Sequence, residues 1–274
     1  MKNVFPYLIF TLILVSCSKA KVSVSDKQFP PVSLVNHYEY FGGEHKFTQL
    51  GSAFLLKYKN DTFAITAKHI LAILKPDSIY NLTLDNFIKV WSMRPLNKED
   101  EIVIMDKLLN EDKTESLKAK TLHEKDWLVF SIKENRAKVI PLEFRETPPV
   151  KGEKFYAVGW TRHMKEGAQR IYEFEYYKTK GTHHLMKKLI IPEKMGGLSG
   201  GPVVDESGKL VGIVSKNEFS LFPMEKMFAP VGTDDLKAFL DNYLMNISDH
   251  IFATRGLVIR LRPIKFLKAA ELKY

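Results

Sequence analysis

The chain has 274 residues, of which 45% are hydrophobic and 27% charged, and these values are typical of one large or two small globular domains. The formal net charge of +9 and the isoelectric point near 9.3 raise the question of a nucleic-acid partner. Because the lysines are scattered among acidic residues and no nucleic-acid-binding motif occurs, the charge predicts a basic surface and no nucleic-acid partner.

The N-terminus carries a targeting pattern. A positively charged start precedes an almost wholly apolar run, Val4–Val15, which leads into Leu14-Val15-Ser16-Cys17. The run has about 12 residues, whereas a membrane-spanning helix needs roughly 20. The pattern resembles the signal peptide of bacterial lipoproteins, whose cysteine becomes the lipidated first residue. We therefore expect a signal peptide over 1–16, lipidation at Cys17, and a polar tether over 17–28.

This resemblance implies a protein of the bacterial cell envelope, held to a membrane by lipid on its periplasmic or surface side. An ordinary cleaved signal and a buried strand are the alternative interpretations of the same run. The only cysteine is Cys17, so an intrachain disulfide is excluded.

From Phe29 onward the chain alternates short β-like runs with turn signals. The first clear pair, Ser52–Leu56 and Thr62–Thr66, flanks a turn at Lys59-Asn60-Asp61 and predicts a hairpin. Other runs share the same apolar, β-branched or aromatic character: 87–93, 101–104, 127–132, 154–160, 170–180, 185–191, 203–204, 210–214 and 227–231. Many short strands at this spacing predict an all-β sandwich or barrel.

A candidate linker divides the series of predicted strands, and a predicted helix follows the last strand. Residues 143–152, which contain Pro148-Pro149, are the best candidate linker between a first barrel and a second. After the last strand, Thr233 is a plausible N-cap for a helix over about 234–244, because apolar residues then recur on one face. Residues 246–274 form an extension of unknown role, in which we expect a strand over 251–261 and a short helix.

Three separated segments carry chemistry. Ser199 lies in Gly197-Leu198-Ser199-Gly200-Gly201-Pro202, where glycines let backbone N–H groups turn toward a developing oxyanion. His69 follows the strand-like run Ile65–Thr66 and begins a short apolar helix, so it is the candidate base. Asp126 directly precedes an apolar strand and is the candidate that orients the base; the alternative acids are Asp106, Asp112 and Glu124.

These segments resemble the trypsin-like (chymotrypsin-fold) serine proteases. Family members carry Thr-Ala-Ala-His, then an aspartate before an apolar strand, then Gly-Asp/Asn-Ser-Gly-Gly-Pro, in this chain order. The resemblance spans about residues 30–245. It implies two six-stranded antiparallel β-barrels with a C-terminal helix, and a serine endopeptidase acting on polypeptides without metal or organic cofactor. The implied boundaries are a protease domain over 29–245, with barrels at about 29–145 and 150–232.

The resemblance also implies roles. Ser199 is the expected nucleophile, His69 the base, and Asp126 the residue that orients His69. The N–H groups of Gly197 and Ser199 are the expected oxyanion hole. The segment Val211–Ser215 looks like the family's substrate-pairing strand, so Ser215, Lys216 and Asn217 are expected to bind substrate.

The chain departs from the family at several positions. Leu198 replaces an aspartate that pairs with a new N-terminus in the digestive enzymes, so we expect no activation by cleavage. Lys68 replaces a small residue beside His69 and is expected to point to solvent. Glu193 lies six residues before Ser199, where trypsin has an aspartate that receives Arg or Lys. It is either a substrate-binding acid or a solvated loop residue.

The remaining histidines lack a catalytic context and are expected at the surface: His37, His45, His123, His163, His183, His184 and His250. The pair His183-His184 has no cysteine or acid spacing that completes a metal site, so no metal is predicted. Two alternative functions stay open, an inactive peptide-binding module on the same fold and an esterase using the same residues. No pattern indicates an oligomeric state.

Overall fold

The structure is a computed structural model that describes residues 21–22, 25–41, 46–74, 80–84, 87–221 and 223–260. The predicted signal peptide, the lipidation site Cys17 and the end of the C-terminal extension lie outside the described residues, as does His45.

Strands dominate the described residues. In chain order they are β1 (Lys21–Val22), β2 (Ser33–Tyr40), β3 (Lys46–Tyr58), β4 (Asp61–Thr66), β5 (Asn81–Leu82), β6 (Ile88–Arg94), β7 (Val103–Leu108), β8 (Asp112–Ser116), β9 (Leu128–Asn135), β10 (Lys154–Gly159), β11 (Arg170–Lys180), β12 (His183–Ile191), β13 (Pro202–Val204), β14 (Leu210–Ser220) and β15 (Glu225–Gly232). The helices are α1 (His69–Leu74) and α2 (Asp234–Arg260), and a single 3-10 turn covers Lys120–His123.

Two closed antiparallel barrels confirm the predicted fold class. The first barrel has the strand order β2-β3-β4-β9-β7-β6. The second has the order β12-β11-β10-β13-β14-β15 and closes through pairing of β12 with β15. The predicted hairpin is β3–β4, with Tyr58 opposite Asp61. In β11 the alternate residues Tyr172, Phe174 and Tyr176 are all buried, as expected for a strand with one face toward the core.

A shared apolar layer holds the barrels together. In β3, Ala53 and Leu55 face the interior of the first barrel, whereas Phe54 and Leu56 face the second barrel and α2. The same alternation occurs in β4 and β9, so these three strands are buried on both faces. Side chains from the second barrel and from α2 complete the layer: Tyr156, Val158, Leu210, Ile213, Leu236 and Leu240.

The segment assigned to the tether contacts the second barrel. Lys21–Val22 forms β1 and pairs in parallel with Ile190 and Ile191 of β12. Further along, the Ser25 N–H donates to the Ile171 carbonyl at 3.0 Å. These backbone hydrogen bonds fasten the start of the described chain to the barrel wall.

The C-terminal helix is longer than its apolar stripe predicts. It runs over Asp234–Arg260, so the strand predicted over 251–261 is wrong. No proline interrupts this stretch and its single glycine, Gly256, comes close to the end, so no strong stop signal ends the helix near residue 244. No helix in the described ranges is both long and apolar enough to cross a bilayer.

Two of the histidines expected at the surface are enclosed by the barrels and have a pKa well below the usual value. His183 is 4% exposed, and its Nε2 has no partner among the described residues. His37 is half-buried, and its Nε2 accepts from Arg94 Nε at 3.2 Å. Burial lowers the pKa of each to about 4, helped by the charge of Arg94 for His37 and of Lys216 for His183. His184 is also buried, and its Nδ1 lies 2.9 Å from Thr179 Oγ1.

We expect these two histidines to make the fold sensitive to mild acid. Their pKa is lower in the folded chain than the unfolded value of about 6.5, so the unfolded state binds more protons between pH 6.5 and 4. Stability therefore falls as pH drops through this window and is fully present above it. The measurement is the free energy of unfolding by denaturant across the window. A variant carrying His37→Gln and His183→Gln should show a shallower slope, whereas the exposed control His163→Gln should keep it. Equal slopes would contradict this assignment.

Candidate active site

Strand register brings His69 and Asp126 together. β4 and β9 are neighbours in the first barrel, with Thr66 opposite Leu128. His69 follows the end of β4 and starts α1, while Asp126 comes two residues before β9. Because antiparallel neighbours place the end of one strand beside the start of the other, both side chains lie at the same rim of the barrel.

Asp126 is fully buried and accepts four hydrogen bonds. Its Oδ1 accepts from the His69 N–H at 2.8 Å, and its Oδ2 lies 2.7 Å from His69 Nδ1 and 3.2 Å from His123 Nδ1. The Ser215 hydroxyl also donates to Oδ2. Burial alone would raise the pKa of Asp126, but the hydrogen bonds from His123, His69 and Ser215 outweigh it and hold the pKa well below its usual range.

The charged Asp126 fixes the tautomer of His69. A carboxylate only accepts, so the hydrogen of His69 lies on Nδ1 and leaves Nε2 as an acceptor. The His69 side chain is 10% exposed, and the residue is buried at the start of α1. Of the acids considered from sequence, Asp126 is the one that contacts His69.

The glycine-rich loop lies against the segment that leads into His69. The Gly200 N–H donates to the Val214 carbonyl at 2.8 Å, and the Ser52 N–H donates to the Ser199 carbonyl at 2.7 Å. Gly200 has a φ of +83°, and a Cβ there would lie 2.3 Å from Thr66 Oγ1. Only glycine fits both the left-handed conformation and this close approach.

Ser199 and α1 border the same small space. A Cβ at Gly51 would lie 2.8 Å from the Ser199 carbonyl oxygen and 2.6 Å from Ile70 Cδ1, the residue after His69. Ser199 is therefore beside the start of α1. Among the described residues no hydrogen bond joins Ser199 Oγ to His69 Nε2.

The loop presents two N–H groups with no protein acceptor in the described part of the chain, those of Gly197 and Ser199. Gly197 has a φ of +104°, and a Cβ there would lie 2.4 Å from the Arg162 nitrogen. The preceding carbonyl, of Gly196, accepts from that Arg162 N–H at 2.7 Å. This hydrogen bond holds the peptide that carries the Gly197 N–H.

Leu198 anchors the same loop to the core of the second barrel. Its side chain is fully buried in the core of the second barrel, in one cluster with Phe155, Val203 and Phe228. Apolar packing thus replaces the ion pair that Leu198 cannot form.

The substrate-pairing strand expected at 215–217 has a free edge. β14 pairs with β15 through Lys216 opposite Ala229 and Asn217 opposite Phe228. On its other side, β13 pairs with β14 only between Leu210 and Ile213. Among the described strands, none pairs with the other edge of residues 215–217, which suits an extended peptide.

Glu193 lies on the loop between β12 and β13. It is exposed and borders a cavity of about 310 Å³ together with Thr161, His163 and Pro192. This placement fits the solvated loop residue that the sequence left open. An exposed carboxylate discriminates weakly between charged side chains, because water screens its field.

Two contacts near His69 were missed by sequence reasoning. Lys68, expected to point to solvent, is 1% exposed and forms an ion pair with Glu115 of β8. His123, expected at the surface, contacts Asp126 from the end of the 3-10 turn, with 37% of its side chain exposed. The i,i+3 spacing of His123 and Asp126 was a signal that could have indicated the second contact.

Comparison with protein families identifies the family of this chain. The profile of the family described as "Trypsin-like peptidase domain" matches residues 51–213, which is more than half of the chain. A comparison with curated proteins finds no match.

Solved structures of serine proteases are among those to which this chain is similar. The serine endoprotease from Yersinia pestis is 16% identical with a TM-score of 0.48, and the alignment covers 79% of this chain but only 64% of that one. The Rv3671c protease from M. tuberculosis, in its active form, is 12% identical over 77% of this chain and 80% of that one, with a TM-score of 0.49. The thermostable serine protease AL20 from an extremophilic microorganism is 17% identical over 74% and 92%, with a TM-score of 0.48.

We expect Leu198→Ala to loosen the glycine-rich loop. Deleting a buried leucine side chain leaves a cavity and costs about 2–5 kcal/mol of unfolding free energy. Because the loop loses its anchor, hydrogen exchange at the Gly200 and Gly201 amides, which donate to the Val214 and Leu198 carbonyls, should accelerate more than global unfolding explains. Leu198→Met keeps the volume and serves as the control, with a cost below about 1.5 kcal/mol. Unchanged amide exchange in Leu198→Ala would show that the loop holds its shape without this side chain.

Proposed function

The chain belongs to the trypsin-like peptidase family, and on that premise we propose that it is a serine endopeptidase that hydrolyses polypeptides through an acyl-enzyme on Ser199. The observation that carries the proposal is the buried Asp126 carboxylate, which holds His69 through Nδ1 at the start of a helix that lies beside Ser199. This is the arrangement that a general base needs before it can accept a hydroxyl proton.

The reaction follows from these positions. Ser199 Oγ attacks the scissile carbonyl carbon while its proton passes to His69 Nε2. The new C–O bond pushes the carbonyl electrons onto oxygen, where the N–H groups of Gly197 and Ser199 stabilise the oxyanion. Collapse of this intermediate breaks the C–N bond, and His69 returns the proton to the leaving amine. Water then repeats the sequence on the ester and releases Ser199.

Asp126 supports each proton transfer. Its charge stabilises the imidazolium that forms on His69, and its hydrogen bonds keep the ring in place. The absent Ser199–His69 hydrogen bond is compatible with this role, because catalytic hydrogen bonds in substrate-free enzymes are often long and tighten in the complex.

Substrate recognition is proposed along β14. Residues Ser215, Lys216 and Asn217 would pair with an extended peptide whose scissile bond lies over Ser199. Glu193 would then lie at the periphery, and a strong preference for Arg or Lys is not expected from an exposed carboxylate.

The missing Ser199–His69 hydrogen bond also supports a second candidate, a peptide-binding module that does not cut. It predicts a folded protein that binds extended peptides but never forms an acyl-enzyme. An esterase on the same residues predicts acylation and ester turnover without peptide cleavage.

We expect a fluorophosphonate probe to label the wild-type chain at Ser199, because the probe reacts only with an activated serine. Ser199→Ala should abolish labelling, and Ser207→Ala, at an exposed turn serine, should leave it intact. Hydrolysis of a diverse peptide library should fall by about 10⁶-fold in Ser199→Ala and in His69→Ala. A folded wild type that resists labelling would favour the binding module, and labelling with ester turnover alone would favour the esterase.

We also propose that the mature protein is anchored in the bacterial cell envelope by lipid on Cys17. The support is the sequence pattern: a short apolar run of about 12 residues that ends near the single cysteine. A lipid anchor would keep the peptidase at a membrane surface while the domain stays in water.

Metabolic labelling with a fatty-acid analogue tests the anchor. Wild type should incorporate the analogue and partition with membranes, whereas Cys17→Ala should do neither, because it lacks the acceptor thiol. Ser16→Ala, at the neighbouring position, is the control that retains labelling. Equal incorporation by wild type and Cys17→Ala would refute lipidation at this residue.

A further inference from the structure

His123 is a third side chain with an atom that can bind a metal ion, beside His69 and Asp126. Its Nδ1 lies 3.2 Å from Asp126 Oδ2, the same oxygen that His69 Nδ1 approaches at 2.7 Å. The two imidazole rings have centroids 5.2 Å apart and are tilted by 47°. One carboxylate oxygen thus has two imidazole nitrogens converging on it.

We propose that His69, His123 and Asp126 bind a divalent transition-metal ion, with zinc the best match, and that the bound ion switches the peptidase off. The inhibitory half of this proposal rests on the proposed function, whereas the binding half does not. Two imidazole nitrogens and one carboxylate oxygen form a donor set that zinc prefers, with a fourth position for water.

The spacing of the donors suits one ion. Their ligand atoms all lie within 4.8 Å of one another. Tetrahedral zinc with bonds of about 2.0–2.1 Å holds its ligand atoms about 3.3 Å apart, so side-chain rotations of modest size complete the site. The buried Asp126 carboxylate contributes the negative charge that draws the cation in.

The ion can enter from the side of His123. Its side chain is 37% exposed, whereas those of His69 and Asp126 are 10% and 0% exposed. His123 also ends the Lys120–His123 turn, where its ring can rotate without disturbing a barrel strand. His123 is therefore the group that captures the ion, and Asp126 and His69 then close around it.

Inhibition follows from proton positions. A metal bond to His69 Nδ1 displaces the hydrogen from that nitrogen, and the neutral ring then carries its hydrogen on Nε2. Such a ring cannot accept the Ser199 proton. The ion also occupies the lone pairs of Asp126 that orient the base. Removal of the ion by a chelator restores the hydrogen bonds from His69 and His123 to Asp126, so the inhibition is reversible.

Direct binding is tested first, in the purified full-length Ser199→Ala protein without an affinity tag. Titration calorimetry with zinc chloride should show one site per chain, and magnesium chloride should show none, because its preferred donors are oxygens. His123→Gln should weaken zinc binding by more than the about 10–100-fold that follows loss of a second-shell partner. His163→Gln, at an exposed histidine, should keep the wild-type affinity. Absence of zinc binding, or binding that survives His123→Gln, overturns the site.

Activity is tested second. Zinc should inhibit peptide cleavage by wild type and by His163→Gln, and a chelator should restore it. The residual activity of His123→Gln should be insensitive to the same zinc concentrations. Wild-type activity that persists when the site is saturated overturns the inhibitory role. If the wild type cleaves no peptide, the proposed function fails, but the calorimetric result still decides whether the metal site exists.

Discussion

The buried carboxylate of Asp126 is the constraint on which the site depends. A charge without water is costly unless hydrogen bonds surround it, and the donors here come from both barrels. His69 and His123 belong to the first barrel, and Ser215 belongs to the second. Docking of the barrels and assembly of the site are therefore one event: a chain that misplaced β14 would leave Asp126 short of a donor.

The apolar layer between the barrels stabilises their docking. Many of the residues that form this layer could be recognised in the sequence. Consecutive apolar residues such as Phe54-Leu55-Leu56 depart from simple alternation because β3 is buried on both faces. Strand runs, the hairpin turn and the all-β class could be predicted because each depends on local chemistry, whereas the two-barrel arrangement was expected only from the resemblance to the trypsin-like proteases. The glycine-rich loop was equally legible, since the close approach at Gly200 permits no other residue.

Features that depend on distant partners could not be predicted. Lys68 appeared to be a solvent-facing residue, since its partner Glu115 lies on a strand 47 positions away. His183 appeared to be a surface histidine because nothing in its sequence neighbourhood reveals its pairing with Val231 of β15 or its burial. Helix α2 also extends beyond the apolar residues that predicted it. Backbone hydrogen bonding can continue a helix where the periodicity of apolar side chains ends.

The pairing of β1 with β12 limits how this domain could sit in an envelope. Four peptide units separate Cys17 from Lys21, and they span about 14 Å at full extension. If Cys17 carried an acyl chain, the linker between the lipid and β1 would be very short. The barrel wall at β12 would then lie against the lipid headgroups and could not move far from the membrane. Substrates would then be restricted to polypeptides that pass close to the bilayer. Their distance from the membrane, more than the chemistry of the substrate pocket, would determine which of them are cleaved.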